Sequence, residues 1–198
     1  ANVASQSGLS DRAWEWYRRA ILIDPGTTAY HDASARMNVA QFYVSGDPQR
    51  LIQAVEDMAI CQELNSLDGR VPFRLGMLYQ LLAERATSKK QRDDLVAHAA
   101  GSYEKAIKVD PFSPFNYLEL GKIRWRQGQS EEAQALLTKA ITYEPNFLPA
   151  RVLLAGDGLA RALARARIGL GALTVDGQAT TVAQPLVAAD LHLALDVL

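Results

Sequence analysis

The sequence predicts an all-α protein, a solenoid of helix-turn-helix repeats closed by a C-terminal cap. Three observations carry this reading. First, Pro114 to Phe147 divides into two amphipathic helices about a turn at Gln127-Gly128-Gln129. Tyr117, Leu120 and Gly121 share a face of the first helix, and Ala133, Leu137 and Ala140 share a face of the second at i, i+4, i+7. Second, that spacing returns upstream as Ala13, Tyr17, Ala20 and Pro25, and again as Ala99, Tyr103, Ala106 and Pro111. Third, the register is kept. Pro111 and Pro145 are 34 residues apart, Ser66 and Pro111 are 45 apart, and Pro25 and Ser66 are 41 apart. The excesses over 34 are close to whole helical turns at about 3.6 residues each, so they lengthen helices without rotating their buried faces.

Each element follows from these residues. Counting back from Pro25 places Gly8 at a turn and Ala1 inside a first helix, so the chain is expected to begin within a repeat and to be a fragment of a longer polypeptide. The second repeat runs over about 28–68. Its first helix, AYHDASARMNVAQFYV, is long and degenerate. Its second, LIQAVEDMAICQEL, carries Ala54, Met58 and Cys61, with Asp47 as N-cap and Pro48 at the first helical position. The third, 69–113, opens with GRVPFRLGMLYQLLAE and continues through the polar segment ERATSKKQRDD, which contains the turn. The fourth is 114–147, where Pro145 ends the second helix. A cap follows at 148–170, with Leu159, Leu163, Ala166 and Leu170 as its apolar stripe. The array thus covers 1–170, and 171–198 is an atypical tail: LTVDGQATTV fits a small hairpin about Asp176-Gly177, and the last segment fits either a helix from Pro185 (Val187, Leu191, Leu195, Leu198) or a strand (Leu191, Leu193, Leu195, Val197), its Ala and Leu content favouring the helix.

Tyr117, Leu120, Gly121, Gly128, Ala133, Leu137, Ala140 and Pro145 together resemble the tetratricopeptide repeat, a helix-turn-helix of about 34 residues. Arg124 departs from it, standing where an aromatic is usual, with Trp125 beside it. The resemblance implies a right-handed α-solenoid whose first helices line a concave groove for peptides or partner helices. The corresponding residues are Phe73, Met77 and Gln80, then Phe115, Leu118, Lys122, Trp125 and Arg126, then Val152. An apolar floor with a cationic edge suits a protein or peptide partner with aliphatic or aromatic anchors and some acidic character. The alternative is that Phe73, Phe115 and Leu118 are core between neighbouring helices. Phe73 and Met77 replace the Lys and Asn that chaperone-binding members carry, which argues against capture of a chaperone's C-terminal carboxylate.

Composition narrows the function. With 48% hydrophobic and 22% charged residues the 198-residue chain is ordinary for a water-facing domain, and no apolar run approaches a membrane span. A net charge of −1 disfavours nucleic acid, although KIRWR keeps a base-stacking role as a distant alternative. His31, His98 and His192 have no metal-ligand spacing, and no glycine loop cradles phosphate. Cys61 sits at a packing position and reads as a buried structural thiol. A non-catalytic interaction scaffold is therefore expected, with no cofactor and no metal, and with a homo-oligomer left open. Segments such as WYRRAILIDP and YEKAIKVDP resemble the C-terminal region of bacterial O-antigen ligase or polymerase-type membrane proteins. That resemblance implies a periplasmic domain serving surface-glycan assembly. The competing host is a free-standing adaptor for pilus or secretion assembly.

Overall fold

The computed structural model describes residues 2–156, with side chains from Arg12 onward. Seven helices follow in order: α1 (Asn2–Ile23), α2 (Thr28–Ser45), α3 (Pro48–Leu64), α4 (Arg70–Glu84), α5 (Lys89–Val109), α6 (Pro114–Arg126) and α7 (Ser130–Tyr143). A last helical stretch spans 148–156, and there is no strand among the described residues. Ala1–Leu154 form one compact unit. The expected remainder of the cap and the tail at 171–198 lie outside the described residues.

Helix boundaries follow local chemistry. Asp47 caps α3 by accepting from the Gln49 backbone N–H at 3.0 Å, with Pro48 at the start of the helix. Ser88 caps α5 by accepting from Gln91 N–H at 3.1 Å, and the Gln91 side chain accepts in return from Thr87 N–H. The turn between α4 and α5 is therefore short, and most of the polar segment after Arg85 belongs to the first turns of α5. The α6–α7 turn uses Gly128 at φ +79°, where a Cβ would be strained.

One expectation is corrected at the N-terminus: α1 runs unbroken through Gly8, where the repeat count places a turn. A single glycine lowers helix propensity without ending a helix, and no proline or capping pair reinforces it there.

The core is stapled across the repeats. Each cluster joins helices of one pair to the first helix of the next. Ala35, Phe42, Leu51, Ala54, Met58 and Cys61 meet Val71, Leu75 and Leu78 across α2, α3 and α4. Tyr103 and Ala99 meet Leu120 and Ile123 across α5 and α6. Tyr117, Leu137 and Ala140 meet Phe147 and Ala150 beyond α7. Small residues set the helix separations. A Cβ at Gly76 would lie 2.6 Å from the Tyr103 ring, and one at Gly121 would lie 3.2 Å from the Leu137 side chain. Arg124, at the position where an aromatic is usual, instead bridges three helices: its guanidinium donates to Glu104 of α5 at 2.6 Å and to Glu132 of α7 at 2.9 Å.

Candidate functional site

The first helices of successive pairs are α2, α4 and α6. Between α2 and α4 lies a hollow of about 240 Å³ whose walls are Val39, Tyr43, Met77, Leu78 and Leu81, with Ala35 and Met58 at its floor. Two of the side chains that make it are poorly covered by the fold, Tyr43 at 69% and Met77 at 46% exposed, while Val39 and Leu81 are half-buried and Leu78 is core. Arg36 and Arg74 stand at its edge. Both pair with Asp32, Arg36 at 3.3 Å one turn along α2 and Arg74 from α4. The two cations share one carboxylate, so this edge keeps an excess of positive charge. The arrangement can take an apolar side chain and hold an acidic group beside it.

Met77 is the only sequence-predicted residue in this hollow. Phe73 and Phe115 line a second one between α4 and α6, of about 310 Å³, with Asn116 and Asp110. Phe73 packs edge-on against Tyr103, and Phe115, half exposed, packs edge-on against Phe147. Gln80 and Arg126 come together in a third hollow, of about 620 Å³, where Arg92 and Asp93 of the lengthened α5 stand over them. Lys122 pairs with Glu119 at 2.7 Å. Trp125 is half-buried and packs against the cluster around Tyr117 and Leu137. Leu118 is corrected: at 3% exposure it is core, beside Phe147 and Ala150, and not a groove residue. On α6 the face toward the following helix and the face toward a groove are adjacent, and spacing alone did not separate them.

The α2 contribution was missed. Val39 and Tyr43 sit on the degenerate first helix, which shows no repeat motif to place them. The signal present was the run Phe42-Tyr43-Val44, of which only Phe42 is buried.

Cys61 is 2% exposed, and burial, with the carboxylates of Asp32 and Asp57, pushes its thiol up to about 11, which keeps it protonated and unreactive. Among the described residues no group of His, Cys, Asp and Glu is arranged to hold a metal ion. No helix of the described residues is long and apolar enough to cross a membrane.

The tetratricopeptide repeat family profile matches residues 116–147. Solved structures share the fold. The chain resembles MamA at 20% identity and a TM-score of 0.55, over 71% of this chain and 72% of that one. It resembles a thermophilic TPR protein of Thermus thermophilus at 22% identity and 0.57, over 78% and 75%. Over its described residues the chain is thus an all-helical, right-handed solenoid of tetratricopeptide-type repeats. Among curated proteins it is similar to cellulose synthase operon protein C of Pseudomonas fluorescens (strain SBW25), 28% identical over 149 residues and 74% of this chain. It is also similar to protein adenylyltransferase fic-1 of Caenorhabditis briggsae, 33% identical over 75 residues and 38% of this chain. It spans 11% and 15% of the length of these two relatives.

Proposed function

We propose that the chain is a non-catalytic scaffold that binds a partner peptide or helix through the hollow between α2 and α4. The observation that carries this is the exposed apolar pair Tyr43 and Met77, with half-buried Leu81 between them and the core, beside two arginines that share one aspartate. Met77 and Leu81, one helical turn apart, offer a seat for an aliphatic or aromatic anchor. Arg36 and Arg74 favour an acidic residue next to it. Phe73 and Phe115 extend the surface along α4 and α6, with Lys122, Trp125 and Arg126 at its far end.

A displayed peptide library selected on the wild-type chain tests this. Selected peptides should carry an apolar anchor with a flanking Asp or Glu, and Met77→Asp should weaken them roughly tenfold with an unchanged thermal midpoint. Peptides that bind Met77→Asp equally well would place the partner site elsewhere.

The wider role we propose is support of exported-polysaccharide assembly. The similarity to cellulose synthase operon protein C supports that context. An O-antigen ligase-type host gains no support from the relatives named above. Disrupting the encoding gene in its own organism and measuring exported polysaccharide tests the context, and an unchanged yield would remove it.

A further inference from the structure

The hollow between α2 and α4 has a direction. α3 alone separates the two helices, and the short turns on either side of it reverse the chain, so α2 and α4 run the same way. Arg36, Val39 and Tyr43 stand at i, i+3 and i+7 along α2, and Arg74, Met77 and Leu81 repeat that spacing along α4. Both stripes begin with a cation and continue apolar. A different, polar face of α2 fastens it to α3. His31, Ser34 and Asn38 are buried there, and the Asp57 carboxylate faces His31 Nδ1 and accepts from Asn38 Nδ2, each at 3.4 Å. The stripe that starts at Arg36 is left to the hollow.

The two cations are not equivalent. Arg74 donates to Asp32 Oδ1 from one helix to another, and its side chain is 40% exposed. Arg36 stands 3.3 Å from Oδ2 on its own helix, and its side chain is 67% exposed. An ion pair so open to water adds little stability and is readily exchanged. Asp32 lies to the side, where it lines a neighbouring hollow with Thr28 and Asp68. Arg74 borders both hollows, whereas Arg36 borders the apolar one. A carboxylate arriving beside a seated apolar anchor therefore meets Arg36 as the looser guanidinium, with N–H donors to spare.

We propose, on the basis of the partner site described above, that Arg36 reads the acidic residue of the partner peptide and that Asp32 is its resident competitor. In the free chain Asp32 faces both guanidiniums. On docking, Arg36 exchanges Asp32 for the partner's carboxylate, while Arg74 stays with Asp32 and braces α4 against α2. Each arginine then has a carboxylate of its own. Asp32 thus weakens acid binding, and it lowers the positive field that would otherwise draw any polyanion to this edge.

The test is an NMR titration of the whole chain, reading the Met77 methyl. The probes are acetyl-Asp-Leu-Asp-amide, which offers an acid on either side of the anchor, and its neutral counterpart acetyl-Asn-Leu-Asn-amide. Both should shift the methyl, and the acidic probe should bind about threefold tighter. Arg36→Gln should abolish that preference and leave the affinity for the neutral probe unchanged. Asp32→Asn, which releases both arginines, should raise the preference a further two- to threefold or so. Equal binding of the two probes, a preference that survives Arg36→Gln, or one that Asp32→Asn leaves unchanged or lowers would each overturn the proposal and leave the partner site standing. A Met77 methyl that responds to neither probe would overturn the site itself, and the role of Arg36 with it.

Discussion

The pairs α2–α3 and α6–α7 tie down the preceding turn at the same point with different chemistry. In α6 the Tyr117 hydroxyl donates to the Pro111 carbonyl at 2.9 Å, and in α2 the ring Nε2 of His31 reaches the Pro25 carbonyl at 3.1 Å. Each bond spans six residues. Beyond it the two interiors diverge. Leu120 of α6 corresponds to Ser34 of α2, and half-buried Leu136 of α7 corresponds to Asp57 of α3. The second helices otherwise agree: Ala54, Met58 and Cys61 occupy the places of Ala133, Leu137 and Ala140, and all six are buried. The small–large–small stripe of the second helix therefore holds the repeat. The first helix is free to turn polar wherever its partner supplies a matching charge.

The sharpest way to break this comparison is to remove the large member of the stripe in each pair. Leu137→Ala and Met58→Ala should each cost about 2–5 kcal/mol in urea unfolding. A much smaller loss for Met58→Ala would mean that α2–α3 is held by its polar cluster instead. Next come the glycines that let the helices approach. Gly76→Ala should cost about 1–3 kcal/mol, because an aromatic ring must move. Gly121→Ala should cost less, since the flexible Leu137 side chain can turn aside. Equal losses would show that the Tyr103 ring adapts as readily as leucine. The smallest effect concerns the caps. Asp47→Ala should lower stability by about 1 kcal/mol. Gln129→Ala, at the start of α7, should change it by less than ~0.5 kcal/mol, because Gln129 makes no cap bond.

The α6–α7 pair was legible because its residues obey spacing, turn and cap rules together, and Asp47-Pro48 announced α3 in the same way. Gly8 misled because a glycine is a weak stop by itself. The site was only half legible. Met77 could be placed from the α4 motif, but Val39 and Tyr43 could not, since His31, Ser34 and Asn38 erase the motif that would have set their register. The pairing of Asp57 with two residues of another helix is a tertiary fact that no spacing within either helix expresses.

Arg124 carries a consequence for how the array melts. It belongs to α6, yet it grips Glu104 on the preceding pair as firmly as Glu132 on its own. In a linear array, stability is the sum of what each repeat supplies and what each seam supplies. Here part of the seam is ionic. Added salt screens that part while sparing the apolar clusters, so neighbouring pairs lose cooperativity with each other. The unfolding transition broadens before its midpoint falls.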